Sequence, residues 1–193
     1  MAYNITLTGK NNKEALDLLE LSAKIMNTCK LVYWLEGGTL LGIRRENRLL
    51  PWDNDLDFSL MYPGKPKLDT LINQLKSEGL RVRVRKFKNT LPFKNGDLRI
   101  IKVRKKKLFG LLKGNVCLDI FIKYNYNEKA YWQIGNKVKN VPYKFYATVK
   151  EIKFNNYSYS IPKLTDEYLT YRYGNWKVPV KNWNTFTDDN ALS

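Results

Sequence analysis

Asp53, Asp55 and Asp57 stand at alternate positions near the end of YWLEGGTLLGIRRENRLLPWDNDLDFS, residues 33–59. Side chains two apart on a strand project from the same face. A strand over 56–60 therefore sets Asp55 and Asp57 side by side, with Asp53 just ahead on the same parity. Carboxylates this close repel one another and raise each other's pKa unless a cation lies among them. Magnesium suits the pattern, because it takes hard oxygen ligands, usually one or two carboxylates together with substrate phosphates. A solvated acidic turn is the plainer reading. Against it, the cluster follows a glycine turn and lies in a chain of net charge +16.

The residues before the cluster read as a short strand at 31–35, a turn at Gly37 and Gly38, and a short helix over 40–45 capped by Thr39. Glycines at a helix N-terminus present backbone N–H groups to a phosphate. Further on, VCLDIFI at 116–122 is nearly continuous in apolar residues and reads as a central strand buried on both faces. Asp119 sits in its middle. A lone aspartate there is costly unless it is paired or metal-bound, so it joins the candidate carboxylates.

The rest of the chain supplies a scaffold. Residues 11–31 predict an amphipathic helix with Asn11 and Glu14 as a capping box and Leu18, Leu21, Ile25 and Met26 inward. A second helix over 67–78 turns Leu68, Leu71, Ile72 and Leu75 inward and stops at Gly79. RVRVRKFK at 81–88 and the strand at 98–105 alternate basic and apolar residues, pairing around a turn at 91–97 with one wet basic face. That face is either edge protection or a binding surface. A hairpin joins 151–154 to 157–161 across Asn155 and Asn156, and a helix opened by Thr165, Asp166 and Glu167 closes at Gly174. The expected class is α+β (α/β): a mixed central sheet with flanking helices and a small C-terminal hairpin–helix extension. One domain over 1–193 is expected, with a catalytic core of about 12–124 and an acceptor-side extension over 125–193.

Composition narrows the chemistry. None of the 193 residues is histidine, which removes Ser-His-Asp and Cys-His systems, HExxH zinc sites and any histidine base. Acid–base work must fall to carboxylates, lysines or tyrosines, which suits phosphoryl transfer. Cys29 and Cys117 are far apart and read as reduced, packed residues. No apolar run approaches the roughly 20 residues of a membrane span, and MAYNITLTGKNNKEA lacks the apolar core of a secretion signal. The expectation is a cytoplasmic protein, with peripheral contact at an anionic membrane face compatible with its charge. Net charge +16 calls for anionic partners, including nucleotides, nucleic acid and acidic glycans.

At this point GGTLLGIRRENRLLPWDNDLDF resembles the signature of the LicD/fukutin-related phosphotransferase family, a branch of the nucleotidyltransferase-fold superfamily. That family reads GTLLGxxR, a short loop, then PWDxDxD. Gly38, Thr39, Leu40, Leu41, Gly42 and Arg45 match the first part, and Pro51, Trp52, Asp53, Asp55 and Asp57 the second. Ile161, Pro162 and Lys163, then Tyr168, Leu169, Arg172, Tyr173, Gly174, Trp176 and Pro179, resemble the family's terminal segment. Glu46 and Asn47 depart from a common basic or His-Lys pair, and Asn54 from a common Asp.

The resemblance implies a nucleotidyltransferase-like fold and Mg²⁺-dependent (or Mn²⁺-dependent) transfer of a phospho-alcohol from a CDP-linked donor to a sugar hydroxyl. The alcohol would be choline, glycerol or ribitol, and the acceptor a glycan or lipid-linked sugar of a cell-surface polysaccharide. It implies that Asp55 and Asp57 hold the metal, with Asp119 as third ligand or as base. Asp53 is the other candidate for the base or for a second metal. Gly37, Gly38 and Thr39 would cradle phosphate, and Arg45 would neutralise the leaving CMP or the transferring group. Trp34 and Trp52 could stack on a cytosine or enclose a choline, or belong to the core. Tyr171, Tyr173 and Trp176 could line an acceptor groove or pack the last helix. Glu36 could cap the turn or orient Arg45. A nucleotidyltransferase proper is the second reading, and a noncatalytic nucleic-acid-binding module the third.

Overall fold

The computed structural model describes residues 4–88, 90–108 and 111–192. Among these the chain runs α1 (Gly9–Thr28), β1 (Trp34–Leu35), α2 (Gly37–Glu46), β2 (Leu56–Met61), α3 (Lys65–Ser77), β3 (Leu80–Lys86) and β4 (Leu98–Lys107). It continues through β5 (Leu112–Lys113), β6 (Leu118–Tyr126), β7 (Lys129–Ile134), β8 (Lys137–Pro142), β9 (Val149–Phe154), β10 (Tyr157–Pro162) and α4 (Thr165–Tyr173).

The main sheet has the order β1-β2-β6-β4-β3, and β5 pairs with β4 while β7 pairs with β6 and β8. Only β2 and β6 run parallel; every other pairing described is antiparallel. A parallel pair needs a long crossover, and here α3, β3 and β4 supply it. Central position explains the apolar run of β6, whose first six residues are all buried. β9 and β10 form a separate hairpin that leads into α4. The mixed sheet, flanking helices and hairpin–helix extension match the expected class.

One face of the sheet is covered by α1 and α3, with Leu18, Leu19, Met26, Leu68, Leu71 and Leu75 fully buried. Lys105 and Lys107 of β4 reach Asp17 at 2.9 Å and Glu14 at 2.8 Å on α1. Those contacts correct the expected capping box. Glu14 instead accepts the Val116 N–H at 3.1 Å, Asn11 donates to the Thr6 carbonyl at 3.0 Å, and the helix begins two residues earlier, at Gly9. A loop pinned by a helix carboxylate outweighs a local cap.

The opposite face carries α2, α4 and the C-terminal segment. Arg44 of α2 grips Asp166, at the start of α4, with two hydrogen bonds of 2.9 Å. Cys29 is half-buried, Cys117 is buried, and neither is in a disulfide. Among the described residues no helix is long and apolar enough to cross a membrane.

Candidate active site

The glycine turn is the first turn of α2 itself. Its N-cap is Glu36, whose carboxylate accepts the Gly37 N–H at 3.3 Å, and Gly37 takes the left-handed φ of +55° that glycine permits. Thr39 is therefore not the cap. It lies inside the helix and its hydroxyl accepts the Asp57 N–H at 3.0 Å, which fastens α2 to β2. The N–H groups of Gly38 and Thr39 stand in the first turn, where a helix has no partner of its own to offer.

The two glycines also make room for carboxylates. A Cβ at Gly37 would collide with Asp57 Oδ2, and one at Gly38 with Asp53 Oδ2. Asp53 is held from two segments: its backbone carbonyl accepts the Leu7 N–H from ahead of α1 at 3.0 Å, and its Oδ1 accepts the Asn54 N–H of its own loop at 2.9 Å. Register sets Asp57 opposite Asp119 across the parallel pair, and Asp119 opposite Lys102 on β4. Asp119 forms an ion pair with Lys102 and accepts the Cys117 S–H at 3.2 Å. Asp53 and Asp57 thus stand against the start of α2, Asp119 lies beside Asp57 on the sheet, and Asp55 is close enough to interact with all three.

Their electrostatics reflect that crowding. Asp53, Asp55 and Asp57 each keep part of their surface accessible, yet loss of water is the largest influence on all three. Burial pushes Asp53 up to about 6. Burial and then the charges of Asp53 and Asp119 push Asp55 up to about 8, against the milder pull of Lys102 and Arg104. Asp57 rises well above the ordinary carboxylate range through burial and the charges of Asp55, Asp119 and Asp53. Such a cluster favours any cation that joins it. Two carboxylates beside a helix start suit Mg²⁺, which keeps other positions for water and phosphate. Among the described residues no group of three or more His, Cys, Asp and Glu side chains is placed to hold a metal as it stands. Asp119 is turned to Lys102, so Asp55 and Asp57 are the pair that fits first.

A cavity of about 350 Å³ opens beside Gly38 and Asp53, walled by Arg45, Trp52, Tyr173, Trp176, Lys181 and Trp183. Arg45 is committed within that wall: it donates to Glu46 at 2.5 Å and to the Trp176 carbonyl at 3.0 Å. The departure at Glu46 thereby gives Arg45 its partner. Trp52 has the Lys181 ammonium 5.7 Å from its ring. Trp34 lies elsewhere, 1% exposed and stacked on Tyr146 at 4.5 Å, so it belongs to the core. Tyr171 is outside the cavity wall.

Behind the site lies a charged network that sequence reasoning missed. Glu36 does not reach Arg45. Its buried carboxylate meets Lys123 at 2.7 Å, Arg172 at 3.0 Å and the hydroxyls of Ser59, Tyr146 and Tyr168. Burial alone would raise its pKa, but Lys123 and Arg172 outweigh that and hold it below the ordinary range. Arg172 also binds Asp189, which Lys139 meets at 2.6 Å. Tyr168 and Arg172 carried a signal as part of the terminal segment's resemblance, and Glu36 as a candidate cap of the turn.

Residues 30–164 match the family described as LicD/FKTN/FKRP, nucleotidyltransferase domain. The chain belongs to this family. Ribitol-5-phosphate transferase FKTN of Macaca fascicularis is 30% identical over 179 residues, covering 89% of this chain and 35% of that protein. The protein of the same name from Homo sapiens is 29% identical over the same coverage. The chain thus spans about a third (35%) of the length of these relatives. A solved structure, ANT(2")-Ia in complex with adenylyl-2"-tobramycin, superposes with a TM-score of 0.48 at 16% identity, over 89% of this chain and 82% of that one. Within the LicD/FKTN/FKRP family, the stretch from Gly38 to Asp57 is the part whose geometry has just been described.

Proposed function

We propose that this chain transfers a phospho-alcohol from a CDP-linked donor to a sugar hydroxyl of a glycan, with Mg²⁺ (Mn²⁺ as substitute) bound among its carboxylates. The observation that carries the reading is the meeting of the α2 N-terminus with Asp53 and Asp57, with Asp55 interacting with both, in a chain of the LicD/FKTN/FKRP family. The relatives named ribitol-5-phosphate transferases make ribitol phosphate the first alcohol to try, with glycerol phosphate and phosphocholine next.

Asp55 and Asp57 would hold the metal, with Asp119 as third ligand when Lys102 releases it. The ion would supply neutralising charge for the donor diphosphate. The N–H groups of Gly38 and Thr39, at the positive end of α2, bind phosphate oxygens. Asp53 is the base. It borders the cavity, and burial gives it a pKa of about 6, close to where a base works at neutral pH. Asp53 takes the acceptor hydroxyl proton as the acceptor oxygen bonds to the alcohol-bearing phosphorus. The bond from that phosphorus to the CMP oxygen breaks, and CMP leaves with the electron pair. Trp52 and the aromatic wall enclose part of the donor and exclude water.

The test is chromatographic detection of CMP from CDP-ribitol, CDP-glycerol and CDP-choline, with a panel of sugar acceptors, with and without Mg²⁺. Mg²⁺-dependent CMP release from one donor, lost in Asp55→Ala, is the expected result. Consumption of a nucleoside triphosphate with release of pyrophosphate would make the activity nucleotidyl transfer instead.

A further inference from the structure

The sheet face that carries the carboxylates continues outward into a row of cations. Register sets Asp57 opposite Asp119, Asp119 opposite Lys102, and Lys102 opposite Arg83 of β3. Residues directly opposite share a face, so these four side chains form one line across four strands. Arg81 lies opposite Arg104 on the same face, and Arg85 opposite Ile100. With strands about 4.8 Å apart, Arg83 stands about 14 Å from Asp57.

Lys102 is engaged by Asp119, and Arg104 by the carbonyl oxygens of Gly114 at 2.8 Å and Asn115 at 2.5 Å. Arg81, Arg83 and Arg85 are exposed, and none of the ion pairs found among the described residues includes them. Protection of an edge strand does not account for them. Charged side chains guard edges, but guarding an edge does not require that three arginines share the face of the site. Two of them stand directly opposite a like charge, an arrangement that costs a sheet stability. The guanidinium also offers a planar fork to phosphate oxygens, which an ammonium does not.

We propose that Arg81, Arg83 and Arg85 bind phosphate groups carried by the acceptor glycan, laying it along β3 so that the hydroxyl to be modified reaches the carboxylates. This rests on the transfer reaction proposed above. The chemistry recognised is a phosphate ester or diphosphate on a sugar chain. It occurs either within a soluble glycan or at the link between a glycan and a lipid carrier.

Binding is measured by titration with five probes: a phosphorylated dextran oligomer, the same dextran without phosphate, phosphatidylcholine vesicles carrying farnesyl diphosphate, phosphatidylglycerol vesicles, and a short oligothymidine. The full chain is compared with an Arg81→Gln, Arg83→Gln, Arg85→Gln variant. A second variant, Lys137→Gln, Lys150→Gln, Lys153→Gln, loses the same charge at exposed positions outside β3. Phosphorylated dextran or the farnesyl diphosphate vesicles should bind tightest, which of the two identifying the source. The arginine variant should bind about tenfold more weakly and the lysine variant within about twofold of the parent. Equal weakening in both variants would overturn the proposal. So would arginine-dependent binding that is tighter for oligothymidine or phosphatidylglycerol than for the phosphorylated probes. Stabilisation by CDP-alcohols with Mg²⁺ is read on the same proteins. Its absence from the parent counts against the transfer reaction, whereas binding of the phosphorylated probes that is unchanged in the arginine variant counts against this surface.

Discussion

Asp53 and Asp55 hold their protons more tightly in the fold, at about 6 and about 8, than at the ordinary 3.8. Between about pH 4 and pH 8 the folded chain therefore binds more protons than the unfolded one, and stability falls as pH rises through that window. In EDTA the denaturation midpoint should decline across this range. Asp55→Asn should flatten the upper part of the decline, and Mg²⁺ should reverse it. A midpoint that rises from pH 4 to 8 in EDTA would contradict the crowded-carboxylate picture. Gly38 gives a second prediction at this scale. Alanine there drives Asp53 from its place, and misplacement of a base by about 1 Å costs about a hundredfold in rate. Gly38→Ala should fold but lose activity to that degree in the CMP assay. Alternation made the aspartates legible, because parity alone puts Asp55 and Asp57 on one face. Glu36 was not legible in the same way. Its partners Tyr168 and Arg172 lie 132 and 136 residues away in sequence, and no local pattern announces such pairs.

Elements show the same division. The alternation in β3 and β4, the continuous run of β6 and the closure of α4 at Gly174 could be read directly, since each follows a local period or cap. The β7–β8 hairpin could not. Its segment mixes Tyr, Lys and Asn without a period, and Lys139, which is fully buried on it, has the look of a surface residue until Asp189 is placed beside it. The short β1 was overestimated for the opposite reason: Leu31 and Tyr33 are buried like strand residues, but only Trp34 and Leu35 pair. The link between α2, α4 and β6 is best tested at Glu36. Glu36→Gln leaves the buried Lys123 ammonium without its carboxylate and Arg172 with Asp189 alone, which should cost about 3–5 kcal/mol. Arg44→Ala breaks the ion pair with Asp166 at the surface, where the loss should stay within about 1 kcal/mol. Denaturant titration of the two variants should separate them clearly; equal losses would remove Glu36 from its central place.

At the scale of the molecule, one sheet face gathers the acidic cluster, the aromatic cavity on its α2 side and the basic row on β3. Arg45 bonds the backbone of Trp176, and Arg172 carries the network from Glu36 to Asp189 near the C-terminus, so the last segment closes the cavity wall. Order of motifs along the chain made the family resemblance readable; the closing of the wall depends on contacts between distant segments and was not. The most direct measurement is the melting temperature with CDP-ribitol, CDP-glycerol and CDP-choline, each with Mg²⁺ and with EDTA, for the parent and Asp55→Ala. A ligand that binds only the native state raises the melting temperature by mass action. One CDP-alcohol should stabilise the parent only when Mg²⁺ is present, and should do nothing for Asp55→Ala, whose own melting temperature in EDTA should be no lower than the parent's. Equal stabilisation in EDTA, or in Asp55→Ala, would contradict a donor held through metal at these carboxylates.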